Sequence, residues 1–101
     1  MASSKKEGGL EVSETTKKRY FRSLVQQIHS LRLAMEKSDL ETVREICHRV
    51  RGSANLFGLG DLGEACKTME EASLAKRLVE IVQNFQVIEV IVSRHAGPME
   101  A

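Results

Sequence analysis

The sequence predicts an all-α fold of four amphipathic helices, and three observations carry that expectation. Aromatic residues make up only 4% of the chain and Pro98 is its single proline, whereas a sandwich or barrel would need turn signals every few residues. Apolar residues recur at helical spacing in four successive segments. Two of those segments open with a capping box, Ser38-Asp39-Leu40-Glu41 and Asp61-Leu62-Gly63-Glu64, in which the first side chain accepts from the backbone of the fourth residue. At 101 residues the chain suits one domain with a single modest core.

Residues 1–12 are small, charged and glycine-containing and read as a flexible tail. A first helix begins near Ser13 and ends near Lys37. Its apolar positions Tyr20, Phe21, Leu24, Val25, Ile28, Leu31 and Met35 share one sector of the helical wheel, and His29 falls outside it as a solvated surface residue. The second helix carries a stripe of Leu40, Val43, Cys47, Val50, Ala54 and Phe57, spaced by threes and fours, and Gly58 is a natural stop. The third turns Leu62, Ala65, Cys66, Met69 and Ala72 inward.

The last helix is expected from Leu74 to about Arg94, entered by a tight turn with Ser73 as its N-cap. Leu74, Leu78, Ile81, Val82, Phe85, Ile88 and Val92 form its core face. Its β-branched content makes a strand over 85–92 the competing reading, but clean alternation is absent. Val79, Val87, Val90 and Ile91 lie outside that face. Either the buried face is wider than a minimal bundle requires, or the chain forms a homodimer through the last helix, by exchange of that helix if it runs on from the third. Residues 13–96 make the bundle, and 97–101 a C-terminal tail.

Composition narrows the function. A net charge of +1 lacks the basic excess of a nucleic-acid binder. The N-terminus has no apolar run of the secretory kind, and no segment approaches a transmembrane span, so a cytoplasmic protein without membrane association is expected. Cys47 and Cys66 lie on apolar faces without CxxC spacing and read as buried free thiols. No metal and no cofactor is expected.

The stripe of the second helix fixes where its other residues point. At about 100° per residue, His48 lies roughly 130° from the stripe's centre and is exposed. Gly52 sits one turn further along on the same side, where a side chain would crowd the imidazole. Glycine inside a helix costs about 0.5–1 kcal/mol relative to alanine, and no turn is needed there, so its placement suggests access. Arg51, three residues from His48, can project its guanidinium beside the ring and offset charge on a phosphoryl oxygen. A histidine near neutral pH retains a nucleophilic lone pair. An exposed imidazole, a cation and a cleared approach suit acceptance of a phosphoryl group from a docked partner. An isolated exposed histidine is usually an ordinary surface residue, and Arg44 and Arg51 could simply pair with Glu41 and Glu45; it is the combination that points to function.

The segment resembles the histidine phosphotransfer (HPt) domain of two-component phosphorelays, whose motif is close to H-x-[LIV]-[KR]-G-[SA]-[SA]-x-x-[FL]-G-x-x-x-L. The matching residues are His48, Val50, Arg51, Gly52, Ser53, Ala54, Phe57, Gly58 and Leu62. Similarity continues through Cys66 and Met69-Glu70, covering about 21–72, with the last helix supported by periodicity alone. The resemblance implies an antiparallel four-helix bundle and a phosphocarrier with no ATP site of its own. It implies that His48 is phosphorylated on Nε2, and that the group comes from and goes to receiver-domain aspartates of a response regulator or hybrid histidine kinase. Arg51 stands where the family usually has lysine. Glu70 departs from the glutamine of many relay domains and resembles the phosphotransfer domain of chemotaxis-type kinases. From the next helix it would bond Nδ1 and hold the tautomer that leaves Nε2 free. The absence of a kinase core in the chain makes the relay the expectation. An adaptor of the same fold that accepts no phosphate, and a helical oligomerisation module, are the alternatives. His95 is expected to be a helix-end residue favoured by the dipole.

Overall fold

A computed structural model describes residues 13–96; the two expected tails, 1–12 and 97–101, lie outside the described residues. Four helices follow one another, α1 (Glu14–Glu36), α2 (Leu40–Leu56), α3 (Gly60–Leu74) and α4 (Leu78–Ala96). The described residues contain no strand, and 85–92 is helical. Three-residue connections make successive helices antiparallel neighbours. Each helix packs on the next and α4 closes against α1, so α2 and α4 lie diagonally across the bundle.

The core is aliphatic. Leu24, Leu31, Val43, Val50, Leu62, Met69, Ile88 and Val92 are among its largest fully buried side chains, each contributing about 1.5–3 kcal/mol by leaving water. Ile46 and Leu59 are also buried, although neither belonged to an expected stripe. At one end of the bundle Tyr20 of α1 stacks on Phe57, with ring centroids 4.0 Å apart. Its hydroxyl lies 3.1 Å from Ser53 Oγ, and burial pushes the phenol above its ordinary value despite that bond.

All three connections are the same turn, a Schellman motif. The residue after each C-cap has positive φ: Ser38 (57°), Gly58 (75°) and Lys76 (58°). The next N–H then reaches back five residues, from Asp39 to Ala34 O, Leu59 to Ala54 O and Arg77 to Ala72 O, each at 2.9 Å. This corrects the expected helix boundaries. Ser38 does not cap α2, because it is consumed in ending α1; the N-cap is Asp39, whose carboxylate accepts from Thr42 N–H and Oγ1–H. Asp61 does not cap α3 either. That helix starts at Gly60 with Leu59 as an N-cap that makes no side-chain bond, and Asp61 Oδ1 accepts from Leu62 N–H in the first turn.

The largest correction concerns α4. Ser73 is buried inside α3, where its hydroxyl donates to Met69 O, so α3 runs on to Leu74 and the turn falls at 75–77. The two helices therefore do not run together, which removes the basis for exchange of the last one. With the start moved, the buried face of α4 is Ile81, Phe85, Ile88, Ile91 and Val92. Ile91, expected outside, is buried; Leu74, Leu78 and Val82, expected inside, are exposed. Val79, Val87 and Val90 are exposed as expected.

Candidate functional site

The turn at 57–59 folds α3 back along α2 and sets His48 opposite Glu70. The periodicity that buries Val43, Cys47, Val50 and Ala54 carries His48 out of the core, and its side chain is 62% exposed. Glu70 sits beside the helix interface with its side chain only 13% exposed. His48 Nδ1 lies 3.1 Å from Glu70 Oε2. An ionised carboxylate can only accept, so Nδ1 carries the hydrogen and the lone pair of the neutral ring is on Nε2.

Arg51 also comes to this carboxylate. Its Nη1 lies 3.3 Å from Glu70 Oε1, and the guanidinium does not pair with Glu41 or Glu45, as the local alternative required. Oε1 is buried and has no aligned hydrogen bond, so the Arg51 contact acts through charge and its N–H bonds are not directed along the oxygen's lone pairs. Glu70 thus bridges ring and guanidinium, with one oxygen on each. Three of the four expected site residues, His48, Arg51 and Glu70, form one connected group.

Gly52, the fourth, is exposed, and a Cβ built there would meet nothing within 4 Å. The space above it is open. A methyl group would fit, so what this glycine leaves clear is room for a long side chain or for another molecule, not a contact inside the fold.

Gly63, which the sequence did not single out, is buried where α3 lies against α2 beside the site. A Cβ there would come within 2.9 Å of Asn55 Oδ1, the end of an exposed side chain that can swing aside, and would make an ordinary van der Waals contact with the Arg51 carbonyl at 3.8 Å. Beneath the site, Cys47 and Cys66 are buried free thiols. The hydrogen bond to Cys66 and burial push the Cys47 thiol far above its ordinary value, which keeps it protonated and inert.

His95 belongs to a different contact. From the last turn of α4 its Nε2 lies 3.4 Å from Asp61 Oδ2 at the start of α3. His29 is exposed on α1. Among the described residues no cluster of His, Cys, Asp and Glu could hold a metal ion, and no helix is long and apolar enough to cross a membrane.

No curated protein and no solved structure matches the chain. The family model of the Hpt domain matches residues 17–94, a span that contains α2 and α3 whole and nearly all of α1 and α4, with the His48–Arg51–Glu70 group and the turn between α2 and α3. Hpt domains perform histidine phosphotransfer in phosphorelays, interact with receiver domains and act as phosphocarriers without an ATP site. The chain belongs to the Hpt domain family.

Proposed function

We propose that this protein accepts a phosphoryl group on His48 Nε2 from the aspartyl phosphate of a receiver domain and passes it to the aspartate of another. The observation that carries this reading is the 3.1 Å contact between Nδ1 of an exposed His48 and the Glu70 carboxylate. It supports a ring fixed in one tautomer, with its nucleophilic lone pair directed away from the chain's own acceptor.

The chemistry needs little from the protein. The Nε2 lone pair attacks phosphorus, the P–O bond to the receiver aspartate breaks, and that aspartate leaves as a carboxylate. The hydrogen on Nδ1 stays on the ring, where the positive charge that develops is offset by Glu70. Return transfer to another aspartate reverses the same steps. Arg51, spread along Glu70 at rest, balances the carboxylate and supplies a cation close to the incoming phosphoryl oxygens. Gly52 leaves open the space that a receiver's phosphate-bearing loop must enter. The protein positions and carries; the acyl phosphate supplies the driving force. A response regulator or hybrid kinase bearing the receiver is the partner, and the cytoplasm, where such receivers act, is the compartment.

The test is to mix the purified chain with phosphorylated receivers and follow acid-labile phosphate. The parent accepts label and His48→Gln does not, with helicity by circular dichroism equal in both. Label retained on His48→Gln overturns the assignment. A parent that binds receivers but never takes up phosphate would instead be an adaptor.

A further inference from the structure

The outer face of α4 has no part in the site. Residues 79–90 read VEIVQ-NF-QVIEV. Apart from the central Asn84-Phe85 pair, this is an inverted repeat about the midpoint between residues 84 and 85. Neither central residue is exposed: Phe85 is buried, and half-buried Asn84 donates back to Glu80 O within α4. Every outward position obeys the symmetry. Val79 mirrors Val90, Val82 mirrors Val87 and Gln83 mirrors Gln86.

The direction of the symmetry matters more than the repeat itself. At about 100° per residue, the twofold axis of this pattern leaves the helix roughly 180° from the centre of its buried face. It therefore points straight out into solvent. The mirrored valines around it are 70%, 49%, 47% and 55% exposed for Val79, Val82, Val87 and Val90. No charged residue lies among the outward positions between them, whereas solvated helix faces are normally charged. The acidic residues on its flanks are already neutralised within the chain, Glu89 by Arg32 and Glu80 by Arg77.

We propose that this face is a homodimer interface, on which α4 of one copy packs antiparallel against α4 of a second. A twofold contact brings residue i to residue j and j to i. Centred on the repeat, it sets valine against valine and amide against amide. Between Val79 and Val90 the face is uncharged and needs no complementary charge from another protein, and its inverted pattern complements itself; the nearest outward charge, Arg94, lies one turn beyond. Because α4 is diagonal to α2, the two His48 sites of the dimer stay open on its outer sides. One helix of about five turns against its copy buries less than about 1,200 Å² in total, the small end of specific interfaces. An interface of that size falls in the weak, transient class, and a dissociation constant on the order of 10–100 μM is the range to test.

Sedimentation equilibrium of the full chain, from about 1 μM to 1 mM, spans that range. The parent goes from monomer to dimer. Val82→Lys and Val87→Glu, both at exposed positions, each raise the dissociation constant about tenfold or more by placing a lone charge in the contact. The double variant, carrying both changes in one chain, recovers to within a few-fold of the parent, because the new ammonium of one copy then meets the new carboxylate of the other. A parent that stays monomeric, whether its own first twelve residues or anything else covers the face, overturns the proposal. So does a dimer indifferent to the single changes, or a double variant no tighter than they are, as parallel packing would give. Circular dichroism confirms that each variant folds. Phosphoryl uptake by the monomeric variants, measured alongside, keeps the outcome for His48 separate.

Discussion

The α2–α3 hairpin and α4 divide their surfaces in opposite ways. On α2 the apolar residues go inward and the outward positions carry ionisable groups, His48, Arg49 and Glu45 among them. On α4 both sides are apolar, with Ile81 and Ile88 facing the core and Val82 and Val87 facing water. A helix with one polar side announces its phase, and any chemically distinct residue on that side stands out. A helix with aliphatic residues on both of these sides hides its phase, and its outward residues become interpretable only once the buried side is known.

That contrast can be broken or sharpened by experiment. Truncating Leu62→Ala, fully buried in α3, should cost about 2–5 kcal/mol, while Val79→Ala on the outer face of α4 should stay within about 0.5 kcal/mol; urea unfolding of both variants measures the gap. If the two cost the same at concentrations where the chain is monomeric, the outward placement of Val79 is wrong. On the α2–α3 side, Glu70→Ala should slow phosphoryl transfer about tenfold or more, with Glu70→Gln recovering much of it. Nitrogen chemical shifts of His48 should show mixed tautomers in the alanine variant alone, a change that mere loss of packing does not produce.

Gly52 separates fold from docking. Gly52→Ala should stabilise by about 0.5–1 kcal/mol, since the position is helical and open, whereas Gly52→Gln should slow transfer from a receiver without unfolding the chain. Equal transfer by the parent and the glutamine variant removes the reason given for this glycine. The smallest effect concerns acid. Hydrogen bonds from Thr42 hold Asp39 below its ordinary value of 3.8. Slight burial works upward on Asp61, but the Leu62 N–H and His95 outweigh it and leave that carboxyl lowered too. A carboxylate with a depressed folded pKa contributes stability above its unfolded value and loses it as pH falls through the folded one. Thermal unfolding between about pH 5 and 2 should therefore fall less steeply in Asp39→Asn than in the parent.

The sequence made the α2 stripe legible because its spacing is regular and nothing interrupts it. The exposure of His48 followed from that geometry alone. The register against Glu70 came from a resemblance, since no periodicity within α2 says which residue of α3 will stand opposite. The boundaries were misread for a chemical reason. Only one of the three turns advertises itself with glycine at the left-handed position, Gly58, and that helix end was located correctly. Ser38 and Lys76 adopt the same backbone at some steric cost, and neither residue type signals it. The serine was read as a cap because serine usually is one. At Ser73 the hydroxyl bonds back within its own helix, an alternative that the residue type leaves equally open. Counting Leu74, Leu78 and Val82 as core then rotated the expected face of α4 by roughly 40°, enough to push Ile91 out and hide the symmetric valines.

The three turns share one geometry, yet their tolerance to change differs. The turn at 57–59 is the only one that sets the register of the phosphoacceptor against its carboxylate. One residue inserted there breaks the bond from Leu59 N–H to Ala54 O that ties the start of α3 to the end of α2, and with it the local restraint on where Glu70 stands opposite His48. The turns at 37–39 and 75–77 join elements whose polar contacts, Tyr20–Ser53 and His95–Asp61, involve neither His48 nor Glu70, and doubling a flexible connection costs only about 0.6 kcal/mol in closure entropy. Peptide tags, reporters or whole domains inserted in this chain should therefore be accepted at those two corners and refused at the third.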